Sequence, residues 1–234
     1  IARELAHRGC TLIVHGSKES DALRGSFEDV KKLSSDSIMV TAELSEPAAI
    51  DEMFSQIEES FTGLDILVNN AATQKPGAIL ELEQENWDCV LSVNLRAPFL
   101  CAQRAGRIMR DRGAGGKIIN ISSVHAYDVR RHYAHYSAAK GALETLTKSL
   151  ALELAEHNIQ VNSVVAGAIA TELTPMDRQE KFLTSVPAGR IGTTEEIARL
   201  VAFLGSNECD YITGASITVD GGLTLGFCAS RPDL

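Results

Sequence analysis

Gly116-Lys-Ile-Ile-Asn-Ile-Ser-Ser123 holds a short β-rich run, Ile118–Ile121, closed by two serines. A strand with one wet face alternates polar and apolar residues. A near-continuous apolar run suits a strand covered on both faces, as in a parallel sheet between helices. Outward from it, similar runs recur at Thr11–Val14, Ile38–Thr41, Ile66–Val68, Val161–Val165 and Ile217–Val219. Helical patterns lie between them at Leu23–Leu33, Pro47–Phe61, Trp87–Arg112, Tyr136–His157 and Thr194–Leu204. Pro47 suits a first helical turn, where its missing N–H costs nothing, and Gly205 suits a helix end. This alternation predicts an α/β fold built on a doubly wound parallel sheet, with residues 1–234 forming one domain.

The first residues read differently. Ile1–Arg8 looks like the tail of a helix, with Ile1, Leu5 and Ala6 on one face and Gly9 closing it. In a doubly wound fold such a helix follows a strand and a Gly-rich phosphate-binding turn. Neither is in the sequence, which therefore reads as starting inside its first helix.

Composition narrows the classes of function. The chain has 234 residues, 44% hydrophobic and 23% charged, enough to bury a large core. A net charge of -9 argues against nucleic acid and anionic membrane as partners. The five cysteines, Cys10, Cys89, Cys101, Cys209 and Cys228, are odd in number and show no C-x-x-C spacing. They read as free thiols in a reducing cytoplasm, with neither a disulfide framework nor a metal site. No apolar stretch approaches the ~20 residues that span a bilayer.

The chemistry gathers in four places. Tyr136 and Lys140 stand four apart in Tyr-Ser-Ala-Ala-Lys, which puts both on one helix face. An ammonium close to a phenol favours the phenolate and brings tyrosine toward the range of a general acid–base; alone, the pair also reads as an incidental surface pair. Ser123 ends its strand where open α/β sheets bind ligands, and also reads as a strand-end cap. Asn69-Asn70-Ala71-Ala72 follows the run Asp65-Ile-Leu-Val at another strand end. Its small residues permit close backbone approach, or form a plain turn. Asn94, inside a helical pattern, reads as a functional amide or a satisfied core amide.

Together these residues resemble the short-chain dehydrogenase/reductase family in its single-domain form. The resemblance runs over Asn69-Asn70-Ala71-Ala72, Asn94, Ser123 and Tyr136-x-x-x-Lys140. It continues through Val161-Asn162-Ser163-Val164, Gly167-x-Ile169-x-Thr171, Pro187-x-Gly-Arg190, Tyr211-Ile-Thr-Gly and Val219-Asp-Gly-Gly222. It implies a Rossmann-like fold and hydride transfer between a nicotinamide cofactor and a carbonyl or alcohol. Tyr136 would pass the proton and Ser123 polarise the substrate oxygen. Lys140 would hold the cofactor ribose and lower the Tyr136 pKa, and Asn94 would support a water linking Lys140 to solvent. Asn70, Ala71, Ala72, Gly167, Ile169 and Thr171 would join Tyr136 and Lys140 in binding the cofactor. The family's Gly-rich turn belongs just before Ile1 and is missing, with a first strand that is central in the family's sheet; its loss leaves neighbouring strands unpaired. Two further departures, Ala72 and Ala166, stand where the family usually has glycine and proline.

Cofactor choice is read at His15-Gly16-Ser17-Lys18. NAD-preferring relatives usually carry Asp where Gly16 stands. Ser17 and Lys18 can meet a 2′-phosphate instead, so the expectation is NADP(H) over NAD(H); Lys18 also reads as a solvated loop charge. Glu43 and Leu44 fall where the family places residues against the adenine. The substrate is expected to be a small carbonyl or alcohol. Ser122-Ser-Val-His125 and Asp220-Gly-Gly-Leu-Thr-Leu225 look like the glucose 1-dehydrogenase branch, with His125 able to reach a sugar hydroxyl or standing clear of substrate. Pro187-Ala-Gly-Arg190 and Asp210-Tyr-Ile-Thr-Gly look like 3-oxoacyl-carrier-protein reductases. The resemblance implies a homo-oligomer, a tetramer first, and Leu146, Leu150, Leu154 and the segment Gly221–Phe227 suit subunit packing. The alternative is a catalytically idle family member that binds or regulates.

Overall fold

A computed structural model describes residues 1–171 and 185–225. Six parallel strands alternate with helices. Helix α1 (Ala2–His7) precedes β1 (Ile13–Gly16), followed by α2 (Asp21–Lys31), β2 (Ile38–Thr41), α3 (Pro47–Ser60) and β3 (Ile66–Asn69). Then come α4 (Gln84–Leu91), α5 (Ala97–Arg112), β4 (Gly116–Ser123), α6 (Ala134–Leu154), β5 (Ile159–Ala166), α7 (Thr194–Leu204) and β6 (Ser216–Val219).

The strands form two sheets, where one was expected. β1 pairs with β2, and β3-β4-β5-β6 form the larger sheet in sequence order. β1 and β3 are thus edge strands, and residues along the whole of both line one cleft. Among the described residues, no strand runs between β1 and β3 to join the two sheets.

The larger sheet is covered on both faces. Adjacent residues of β4 point to opposite sides. Ile118 packs with Met53, Phe54, Ile57, Ala102, Met109, Ile159 and Val161. Ile119 packs with Val164, Ile197, Val201 and Leu204 of the other cluster. Helices α3, α5 and α6 therefore lie on one face, and α7 on the other beside α1. This two-sided burial is why the strand runs read as continuous apolar stretches.

The pattern over Trp87–Arg112 is not one helix. It breaks into α4, a π-helical turn over Ser92–Arg96, and α5 with a proline in its first turn. Pro98 brings no N–H donor, and the ladder widens just before it. α5 stops at Gly113, whose φ of 71° is left-handed and favours glycine. At α7, Thr193 and Glu196 form a reciprocal capping box. Arg190 grips the same glutamate at 2.6 and 2.8 Å, and that bond, ahead of the others, pulls the Glu196 carboxyl down to about 2. The Pro187-x-Gly-Arg190 motif is thus used in part to anchor a helix start.

Candidate active site

Ser123 is the last residue of β4, and its hydroxyl accepts from the His125 backbone N–H at 3.2 Å. That bond starts the 3-10 turn Val124–Ala126. The capping reading of Ser123 and the functional one therefore coexist: the oxygen caps, while the O–H remains a donor. Thirteen residues later, the first turn of α6 brings Tyr136 alongside, with the Ser123 and Gln74 side chains near enough to favour its phenolate. Tyr136 packs with Val90 and Tyr133. The rings of His125, Tyr133 and Tyr136 stand 6.3 to 6.4 Å apart.

Lys140 lies one helical turn beyond Tyr136. It is buried, donates to the Ile121 carbonyl at 2.8 Å, and its Nζ stands 5.7 Å from the Tyr136 ring centre. Burial pulls its pKa down to about 8, against the opposing charge of Glu144. The net direction of the Tyr136 pKa differs from the lowering expected. Burial pushes the Tyr136 phenol up, and the Ser123 and Gln74 side chains only partly oppose it. Desolvation of the phenolate outweighs its neighbours here.

Asn94 sits buried in the π-helical turn. Its amide donates to the Thr73 carbonyl at 2.6 Å and its carbonyl accepts from the Thr73 N–H at 3.0 Å. Held at both ends by one backbone residue, the side chain pins the loop that follows β3. A π turn at this place agrees with the tendency of such turns to mark functional sites. Asn69 bonds Asn120, which bonds Thr147, so β3, β4 and α6 are tied by one buried amide chain.

The expected cofactor residues separate into groups. A cleft of about 1020 Å³ is lined by Ser17, Glu43, Leu44, Asn70, Ala71 and Ala72 at the carboxyl ends of the strands. Below that lip its walls are apolar, from Val14, Val40, Met53, Phe54 and Leu67. Lys18 is exposed and outside the lining. Gly167, Ile169 and Thr171 follow β5, beside the end of β4, and do not line this cleft. At Gly167 a Cβ would stand 2.5 Å from Asp220, so only glycine lets the exits of β5 and β6 meet. A nicotinamide dinucleotide fits this arrangement at two places. The lip would hold its adenosine end, since small residues there leave the backbone open, and the Tyr136 and Lys140 side would hold its ribose and ring.

Two residues escaped the sequence reading. Gln74, which reaches Tyr136, carries no sequence signal. Glu144 does: it is a carboxylate on the buried face of α6, four residues after Lys140.

Comparison with known proteins agrees with this geometry. The family described as enoyl-(acyl carrier protein) reductase matches residues 1–224. A 3-oxoacyl-[acyl-carrier-protein] reductase of Staphylococcus aureus is 34% identical over 229 residues, covering 96% of this chain and 92% of that protein. A 3beta-hydroxysteroid dehydrogenase of Eggerthella lenta is 33% identical, covering 96% and 88%. Among solved structures, an acetoin dehydrogenase of Enterobacter cloacae superposes with a TM-score of 0.88 at 37% identity, covering 100% of this chain and 91% of that one. A short-chain dehydrogenase/reductase of Mycobacterium marinum does so with a TM-score of 0.89 at 32% identity, covering 96% and 90%. The chain belongs to the short-chain dehydrogenase/reductase family and is an oxidoreductase of that type.

Proposed function

We propose that the protein transfers a hydride between NADP(H) and a ketone or secondary alcohol, with Tyr136 as its general acid–base, in one domain spanning 1–234. The observation that carries this reading is the Ser123 hydroxyl and the Tyr136 phenol set side by side with a buried Lys140 at the end of β4. The bound nicotinamide supplies or accepts the hydride. Ser123 donates to the substrate oxygen and orients it. Tyr136 gives that oxygen its proton in reduction and removes it in oxidation. Lys140 holds the ribose and, as an ammonium, favours the phenolate left behind. With its pKa drawn to about 8, Lys140 loses its charge as pH rises through that value. Reduction is expected to fall on the same limb. Asn94 acts by holding Thr73, and with it the loop carrying Gln74 toward Tyr136.

Cofactor binding is assigned to Ser17, Lys18, Glu43, Leu44, Asn70, Ala71 and Ala72 at the adenosine side, and to Tyr136, Lys140, Gly167, Ile169 and Thr171 at the nicotinamide side. The substrate class is a carbonyl with a second oxygen function. A 3-oxoacyl thioester comes first, in line with the Staphylococcus aureus relative. A sugar is second. His125 favours it: the ring's Nδ1 is 2.8 Å from the Asp128 carbonyl, which leaves Nε2 for a hydroxyl. The test is consumption of NADPH by the protein with a panel of 3-oxoacyl thioesters, acyloins and sugars or their lactones. Coupled turnover on one of these classes is expected. No turnover on any, with NADPH bound, would overturn the reading.

We assign the active form to a homotetramer in the cytoplasm. Phe99 on α5 and Leu146 on α6 share a shallow surface groove, and Phe99 is exposed. That face suits subunit packing. Leu150 and Leu154 pack inward on the core and so are not part of it. Of the other segment expected at an interface, residues 226 and 227 lie outside the described residues. Among the described residues, no helix is long and apolar enough to cross a membrane. Light scattering at micromolar concentration is expected to give four times the chain mass, and a monomer would defeat the assignment.

A further inference from the structure

The catalytic reading leaves one buried carboxylate unused. Glu144 lies one turn beyond Lys140 on the same face of α6. Tyr127 donates its hydroxyl to Glu144 Oε2 at 2.7 Å, and Ser163 of β5 donates to Oε1 at 2.6 Å. The hydroxyls of Ser216 and Ser122 also act on it. Burial works against the charge, but these four hydroxyls outweigh it and hold the carboxyl below the usual range. A carboxylate stays ionised inside a protein when hydrogen bonds replace its water. Glu144 therefore ties the turn that begins at Ser123 to strand β5.

We propose that Glu144 is a positioning residue for the Ser123–Tyr136–Lys140 group, clamping the turn after β4 through Tyr127 while its charge keeps Lys140 an ammonium. The proposal rests on the oxidoreductase reading for its effect on turnover. Its electrostatic half does not.

The surroundings of α6 favour this assignment. The turn after β4 carries His125, Tyr127 and Asp128; Tyr133 caps α6, and the helix's first turn carries Tyr136 and His135, whose Nε2 is 2.8 Å from the Lys75 carbonyl. Helix α4 offers Glu85 and Asp88, and the π turn offers Arg96, which is spent on the Ser45 carbonyl. Arg104 of α5 is paired with Asp51, and Lys117 of β4 with Asp210. The 3-10 turn after α6 carries Glu156 and His157, at the far end of the helix. The described strands β5 and β6 bring serines and no titratable side chain to this face. The carboxylate whose charge acts on Lys140 is Glu144.

The test is Glu144→Gln, which keeps the shape and an accepting oxygen and removes the charge. Losing an opposite charge one helical turn away lowers a neighbour's pKa, by about one unit where the two groups come within ~4–6 Å. The titration midpoint of Lys140, followed by its Cε carbon resonance in the whole protein, is expected to move down by that amount. The upper pH limb of reduction is expected to move with it. Glu144→Asp restores the charge on a shorter arm. Its midpoint is expected to return toward wild type while kcat stays several-fold low, because the arm misses Tyr127 and Ser163. An unmoved Lys140 midpoint in folded Glu144→Gln overturns the proposal, whatever happens to turnover. So does an Asp variant whose midpoint stays with that of Gln.

If Glu144→Gln does not fold, Tyr127→Phe carries the test. It cuts one arm of the clamp and keeps the carboxylate. A several-fold loss in kcat with KM and the pH limb unchanged is expected, and an unchanged kcat overturns the clamp. A wild-type protein inactive on every carbonyl defeats the oxidoreductase reading instead, and the Lys140 titration still judges Glu144.

Discussion

Tyr136→Phe is expected to lower turnover by about a hundredfold to ten-thousandfold, the usual worth of a positioned acid–base group. The change removes one oxygen. The ring keeps its place against Val90 and Tyr133, so the variant should fold, and cofactor affinity should stay near normal. What is lost is the hydroxyl beside Ser123, the atom assigned to carry the proton. Because ground-state packing is preserved, the loss should fall on kcat more than on KM. Steady-state kinetics beside a cofactor titration separates the two. Turnover close to wild type would remove Tyr136 from the acid–base role.

The second large effect concerns the cofactor. The protein is expected to work with at least tenfold higher kcat/KM on NADP(H) than on NAD(H), and Gly16→Asp is expected to reverse the order. Gly16 ends β1, and residues Ser17, Glu43 and Leu44 share its part of the cleft. A carboxylate at position 16 would repel a 2′-phosphate and accept from a ribose diol. A Cβ there would meet the Leu23 methyl at 2.6 Å. That methyl is the far end of a flexible side chain on α2 and can turn aside. Higher efficiency with NAD(H) in the unmodified protein would contradict this reading of the loop.

Much of this was legible because burial leaves a mark on sequence. The strand runs were found within a few residues of their observed bounds, since a strand covered on both faces must be apolar on both. Thr194–Leu204 was read to the residue, because its capping box and terminal glycine are written in local chemistry. The split of Trp87–Arg112 was not read. A π turn needs only one extra residue per turn and keeps the apolar pattern nearly intact, so periodicity does not reveal it. At the site, Ser123, Tyr136 and Lys140 were legible from spacing joined to family resemblance. The Asn94 partner was not, since Thr73 stands 21 residues away and offers its backbone. The sign of the Tyr136 shift was missed for a related reason. A charge four residues away is visible in sequence, whereas the depth of burial that outweighs it is a property of the fold.

The central claim is hydride transfer between a nicotinamide and a carbonyl carbon, with the proton routed through Tyr136. The most direct measurement runs the reduction with NADPH deuterated at the transferring position and weighs the product. One deuterium on the carbinol carbon is expected with the wild-type protein, none of it from solvent, and labelled product should form at least a hundredfold more slowly with Tyr136→Phe. A product carbon without label, or labelled equally fast by the phenylalanine variant, would contradict the account.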